Sequence, residues 1–101
     1  VNLALNGFIL NFASSRGAVE LVRLLLNAGA DTDKASADGS TALFAAAQKG
    51  HVEILGKLLD AGADKNIMSF AAKDAGRTAL MVAAESGHAH IVRMLLEREE
   101  H

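Results

Sequence analysis

The residues best suited to metal binding or acid–base chemistry are the four histidines His51, His88, His90 and His101. A zinc site needs three or four ligands that converge, commonly with two histidines four residues apart on one helix face. His88 and His90 are two residues apart and cannot share a face in that way. His51 and His88 each follow a glycine at the same point of a repeated segment. We therefore expect a structural role for both, a bond to backbone near a helix turn, and no metal site.

Nucleophilic and cofactor chemistry lack the sequence context that they need. The serines are not set in a Gly-x-Ser-x-Gly elbow and the chain has no cysteine. The glycines do not form either common phosphate-binding motif. We predict a non-enzymatic protein with no catalytic residue and no cofactor.

Composition and charge narrow the classes of molecule that this protein could bind. The chain of 101 residues carries a net charge of -2, with Lys and Arg dispersed among Asp and Glu, which disfavours nucleic acid as a partner. The uncharged stretch 1–15 has no basic leader and is shorter than the roughly 20 apolar residues of a membrane span. With no cysteine for disulfides, these features predict an intracellular protein, cytoplasmic or nuclear, without a membrane partner.

The chain repeats itself, and this repetition determines the fold prediction. Three segments align on Gly17, Gly50 and Gly87: "FILNFASSRGAVELVRLLLNAGAD", "TALFAAAQKGHVEILGKLLDAGAD" and "TALMVAAESGHAHIVRMLLEREEH". Each has two apolar patches at helical spacing, so each copy is predicted to be a helix pair. The aligned glycines suit a left-handed residue at the end of the first helix, and Thr41 and Thr78 suit its N-cap.

The period of 33 and the stretch "DGSTALFAAAQKGHVEILGKLLDAGADKN" resemble ankyrin repeats over nearly the whole chain. The resemblance implies an all-α solenoid of stacked antiparallel helix pairs with β-hairpin-like loops, called fingers below. We expect one domain, 1–101, with repeats at approximately 6–37, 38–74 and 75–101. Such stacks bury a continuous core that no single copy closes.

The resemblance also implies a protein partner, contacted by the fingers and by the exposed side of each first helix. Carried onto this chain position by position, it predicts a partner-binding set of Ser15, Arg16, Ala37, Asp38, Ser40, Gln48, Lys49, Asp74, Ala75, Arg77, Glu85 and Ser86. The alternative is that these are simply solvated residues. Asn66, which closes "GADKN", is by the same resemblance a possible site of asparagine hydroxylation.

An insertion separates copies two and three. The glycine spacing grows from 33 to 37, so "KNIMSFAAKDAG" holds four extra residues. Its large apolar residues are Ile67, Met68 and Phe70. They either anchor a partner, since apolar and aromatic anchors dominate many interfaces, or fold back over the junction between the two copies. We include Met68 and Phe70 in the predicted partner-binding set.

The two ends of the chain differ in polarity. Residues 1–16 are rich in large apolar side chains, which predicts that upstream sequence or another molecule covers them. A second hypothesis follows, in which the protein is a structural element that stacks or self-associates through its apolar N-terminal repeat. At the other end the second helix of copy three is expected to fray into the charged tail "EREEH".

Overall fold

The computed structural model describes residues 3–98, and the side chains of residues 8–98 except that of Ala72. The helices in this part of the chain are α1 (Leu3–Arg16), α2 (Val19–Asn27), α3 (Ala42–Lys49), α4 (Val52–Asp60), α5 (Ala79–Glu85) and α6 (Ala89–Glu97), with one 3-10 turn at Ala72–Asp74. Residues 3–98 contain no strand. The predicted all-α fold of helix pairs is confirmed. The predicted fraying of the tail concerns residues 99–101, which lie outside the described residues.

Helices α3 and α5 begin where the local sequence predicts, and α3 also ends there. The Thr41 hydroxyl accepts a hydrogen bond from Phe44 N (3.2 Å), and the Thr78 hydroxyl accepts one from Met81 N (3.3 Å). Gly50 ends α3 with φ +81°, a left-handed conformation that a side chain disfavours. Both N-caps and this glycine cap match the prediction, so α3 is capped at both ends and α5 at its start.

Helix α1 departs from the predicted pattern. It begins at Leu3, before the expected repeat boundary at residue 6, and runs for 14 residues. Copies two and three start their first helix at a threonine that follows a finger, whereas copy one has Phe8 at that position. A phenylalanine has no oxygen with which to cap a helix, so the helix continues through it. Residues 3–7 are therefore helical where the other copies have finger residues.

The repeated "AGAD" follows α2 and α4 and connects each of these helices to the next copy. Asp31 Oδ1 accepts a hydrogen bond from Asp33 N, and Asp64 Oδ1 accepts one from Asn66 N, both at 2.9 Å. Such turns are typical of aspartate. Asp33 Oδ1 in turn accepts from Asp64 N of the next copy (2.8 Å). The motif is therefore a structural joint.

The helices form two layers, with α1, α3 and α5 side by side in one and α2, α4 and α6 in the other. Small side chains in the first layer, such as Ala46 and Ala47, are fully buried and allow close approach. Leu55 and Leu58 of α4 fill the space between the layers. Each buried leucine contributes about 1.5–3 kcal/mol by leaving water, and neighbouring copies supply much of the cover.

Two histidines join consecutive copies. His51 Nε2 lies 3.1 Å from the Ser15 carbonyl oxygen, and His88 Nε2 lies 3.1 Å from the Gln48 carbonyl oxygen. A carbonyl oxygen only accepts, so each ring carries a proton on Nε2. The prediction that both histidines bond backbone near a helix turn is confirmed.

Candidate functional site

The first finger, residues 34–40, is a turn that its own polar groups hold closed. Ser36 N donates to the Ser40 carbonyl (2.9 Å). The Asp38 carboxylate accepts from the Ser36 hydroxyl (2.5 Å), the Ser40 hydroxyl (2.9 Å) and Ser40 N (3.1 Å). These hydrogen bonds hold the pKa of Asp38 below its ordinary value, and the bond from the Ser36 hydroxyl is the largest cause. The finger therefore presents a fixed, ionised carboxylate.

The second finger, residues 67–77, lies directly on the first. Phe70 N and the Ser69 hydroxyl both donate to the Gly39 carbonyl, at 3.0 and 3.3 Å. Gly39 has φ +92°, and a methyl group there would lie 2.6 Å from Phe70 Cδ1 and 2.7 Å from Ala71 N. Only glycine permits this approach. The four extra residues of this finger are accommodated by its 3-10 turn.

A cleft of about 470 Å³ opens between the second finger and α3. It is lined by Asp38, Ser40, Phe44, Gln48, Lys49, Ala71, Lys73 and Asp74. Asp38, Ser40, Gln48, Lys49 and Asp74 were predicted from the sequence, and here they border one space. Within residues 3–98 neither Lys49 nor Lys73 forms an ion pair, so both ammonium groups are available to a ligand.

Ser40 differs from the expected residues in its burial, while its role in partner binding stays a prediction. It was expected among exposed partner-binding residues, yet the residue is buried. Its carbonyl accepts a hydrogen bond from the Asn11 amide of copy one, and its hydroxyl is bonded to Asp38. Ser40 thus links the first finger to α1, and the neighbouring copy covers the Ser40 side chain.

Arg77 and Glu85 pair with each other outside the cleft. Arg77 Nε lies 2.7 and 2.9 Å from the two carboxylate oxygens of Glu85. This hydrogen-bonded pair holds the pKa of the Glu85 carboxyl below its ordinary value and raises that of Arg77. The pair ties the base of the second finger to α5.

The other predicted residues of the regular repeat positions do not line the cleft. Ala37, Ala75 and Ser86 are exposed on the surface. Ser15 is half-buried, with its carbonyl bonded to His51. The Arg16 guanidinium lies over the Phe12 ring, 5.2 Å from its centroid.

The apolar residues of the second finger project outward. Met68 and Phe70 are 59% and 69% exposed, whereas Ser69 between them is buried. Neither side chain covers the junction between copies as the fold-back interpretation expects, although the Phe70 ring touches Gly39 along one edge. Ile67 is half-buried. The finger thus carries two exposed apolar side chains beside the cleft.

Asn66 is exposed in the turn between α4 and the second finger, with its backbone N–H bonded to Asp64.

Three cleft residues, Phe44, Ala71 and Lys73, were not predicted. Lys73 lies in the insertion, where the sequence prediction included only the large apolar residues. Phe44 and Ala71 carry no polar side-chain group that would mark them in the sequence as partner-binding residues.

Within the described part of the chain, no three His, Cys, Asp or Glu side chains come together in a way that would hold a metal ion. None of the helices between residues 3 and 98 has the length and apolar character needed to cross a membrane.

Comparison with known proteins agrees with the repeat geometry. The sequence model of the family described as "Ankyrin repeats (3 copies)" matches residues 10–101. The search of curated proteins found no match. Ankyrin repeats are generally protein–protein interaction modules and are generally non-enzymatic. The His-linked helix pairs, the paired fingers and this match lead to one conclusion: the chain belongs to the ankyrin repeat family.

Proposed function

We propose that this chain is a non-enzymatic interaction module whose three copies act as one unit and bind a protein partner in the cleft between the second finger and α3. The observation that carries the proposal is the convergence of Asp38, Gln48, Lys49 and Asp74 on one cleft. These residues come from two fingers and a helix. Binding specificity on a repeat scaffold depends on such surface residues rather than on the fold.

The cleft lining carries two ammonium groups, Lys49 and Lys73, and two carboxylates, Asp38 and Asp74, so it suits a partner segment with charges of both signs beside apolar groups. Lys49 and Lys73 offer ammonium groups, while the Asp38 carboxylate already accepts three internal bonds. Met68 and Phe70 lie exposed on the same finger as Lys73. Exposed aromatic and apolar anchors commonly supply much of the binding energy, and flanking charges steer association.

Site-specific photocrosslinking in living cells of the source organism tests this proposal. A benzophenone amino acid at Phe70 is expected to form a discrete adduct with a protein. The same group at Asn27, exposed at the end of α2, is the matched control and is expected to form none. Equal labelling at both positions, or no adduct at Phe70, would refute binding at the cleft.

Charge reversal then tests the role of the lysines with the captured partner. Lys49→Glu and Lys73→Glu are expected to weaken binding at least about tenfold, equivalent to ~1.4 kcal/mol, without changing thermal stability. Arg93→Glu on α6 is the matched control, since Arg93 is exposed and does not line the cleft. Retained affinity in both lysine variants contradicts the proposed chemistry.

We also propose Asn66 as a hydroxylation site. Its exposure in a turn supports access by a modifying enzyme. Peptide mass spectrometry of protein isolated from cells is expected to give a one-oxygen increase at Asn66. Complete absence of that increase in material from oxygenated cells refutes it.

A second candidate function is self-association as a structural element. The exposure of Phe8 and Phe12 on α1 favours it, and these residues lie apart from the cleft.

For either function we propose an intracellular location, which fractionation of the source cells tests.

A further inference from the structure

A groove of about 240 Å³ lies between α2 and α4, in the layer formed by the second helices of the copies. Its lining is Arg23, Leu26 and Asn27 of α2 with Lys57 and Ala61 of α4. None of these five residues carries a carboxylate, and none of them lines the cleft beside the second finger. The groove is therefore separate from the cleft, and both charged groups in its lining are cations.

The corresponding junction between α4 and α6 is built differently. There the repeat has Gly56 at the position of Arg23 and Met94 at the position of Lys57. The terminal methyl of Met94 lies 3.3 Å from a methyl group built on Gly56, so an apolar side chain reaches back to the preceding copy. Two facing helices thus pack at this junction without a charge at either position. Stacking of the copies alone does not require the two cations of the groove.

The charges at the groove do not balance. Arg23 donates to both carboxylate oxygens of Glu20 on its own helix, with Nε 3.1 Å from Oε1. This hydrogen bond is the largest cause that holds the pKa of Glu20 below its ordinary value, and the positive charges of Arg23 and Lys57 add to it. Lys57 is half-buried, and within residues 8–98 its ammonium group forms no ion pair. Two cations beside one carboxylate leave an excess of one positive charge.

We propose that this groove binds one carboxylate of a protein partner, carried by an aspartate or glutamate that lies next to an apolar residue. The carboxylate binds between Lys57 and Arg23, where it neutralises the excess charge, and the exposed Asn27 amide offers further N–H donors. The apolar neighbour packs on the half-buried Leu26 and on Ala61.

The size of the excess charge favours a carboxylate over a phosphate group. A carboxylate brings a single negative charge, which matches the excess, whereas a phosphate monoester carries about -1.5 to -2 at pH 7. The contact goes beyond the proposed function, because it lies on the layer of second helices and shares no residue with the cleft.

NMR titration of the full chain with a defined peptide tests the proposal. The probe is an acetylated and amidated hexapeptide whose only charge is one glutamate between two leucines. Saturable shifts are expected at amides of α2 and α4 around the groove. The same peptide with glutamine in place of glutamate is expected to bind at least about threefold more weakly, which is the effect of one partly exposed ion pair.

Substitutions at Lys57 then locate the binding. Lys57→Met supplies the residue that copy three has at this position, so it is compatible with the fold, and it is expected to weaken the glutamate peptide at least about threefold. Lys57→Arg keeps the charge and is expected to retain binding. Arg93→Gln is the matched control, because it removes one exposed positive charge that does not line the groove. Circular dichroism verifies the fold of each variant.

Four outcomes overturn the proposal. Equal affinity for the glutamate and glutamine peptides excludes recognition of a carboxylate. Unchanged affinity in Lys57→Met, or an equal loss in Arg93→Gln, excludes the groove as the site. Inorganic phosphate that binds more tightly than the peptide and shifts the same amides replaces the carboxylate by a phosphate group. Shifts confined to α3 and the second finger place the peptide in the cleft instead.

Discussion

At the residue scale, the glycines that end the first helices have unequal surroundings. A methyl group on Gly50 would lie 2.8 Å from His88 Cε1, and one on Gly17 would lie 2.9 Å from His51 Cε1. Gly87 has the same left-handed φ but has no atom within 4 Å of that position among the described residues. The first two glycines therefore serve both the helix end and the histidine of the next copy.

Alanine at Gly50 and at Gly87 separates these two roles. Gly87→Ala is expected to lower the free energy of unfolding by about 1–2 kcal/mol, the usual cost of a left-handed side chain. Gly50→Ala is expected to cost about 1 kcal/mol more, because displacing His88 breaks its bond to Gln48. Urea denaturation measures both, and equal losses would contradict the proposed role of His88.

Ser14 is a polar residue in the core whose hydroxyl group tests the cost of burial without a hydrogen bond. The residue is fully buried, and its hydroxyl has no hydrogen-bond partner within the described residues. Copy two has Ala47 at the same position. Ser14→Ala is expected to raise the free energy of unfolding by about 1 kcal/mol, and Ala47→Ser to lower it by about 1–3 kcal/mol. A stability loss on Ser14→Ala in urea denaturation would contradict this account.

The roles of single residues were predictable where the repeat gave them a fixed position. His51 and His88 were recognised because each follows the aligned glycine. The burial of Ser40 was not predictable, because it depends on Asn11, 29 residues earlier, a contact that no local pattern reveals. Lys73 was overlooked because the course of the insertion determines where its side chain lies.

At the element scale, the first finger depends on an ionised Asp38. Its folded-state pKa is lowered, so its contribution to stability is complete above the unfolded-state pKa of about 3.9 and is lost as pH falls through the lower folded value. Ser36→Ala removes the largest cause of the shift and is expected to raise the Asp38 pKa toward its ordinary value. Carboxyl NMR titration measures it, with Ser86→Ala as a control that leaves it unchanged. An unmoved Asp38 pKa in Ser36→Ala would contradict this role of Ser36.

The helices were predictable from apolar spacing, threonine caps and glycine ends, and their order matches the expectation. The start of α1 was not predictable, because no threonine marks a helix start within residues 3–7 of the sequence. The fingers were expected as loops, but the bonds from the second finger to Gly39 required the structure. These bonds hold together the two fingers that contribute to the cleft.

At the scale of the whole molecule, the cleft depends on contacts between parts of the chain that are distant in sequence. Its lining comes from the first finger, α3 and the second finger, and Ser40 at its edge is held by copy one. Copy three is tied back to copy two through His88, the Lys65 ammonium on the Leu95 carbonyl (2.7 Å) and the Arg98–Asp60 pair (2.8 Å). We therefore expect the copies to unfold together rather than one at a time.

Native-state hydrogen exchange of Ile54→Val tests this stacking most directly. Ile54 is buried on the side of α4 that faces copy one, and the change should cost about 1 kcal/mol. If the copies form one cooperative stack, the slowest-exchanging amides of α1, α4 and α6 all accelerate by a common factor of about five. Acceleration confined to α3 and α4, with unchanged exchange in α1 and α6, would contradict the stack on which the cleft depends.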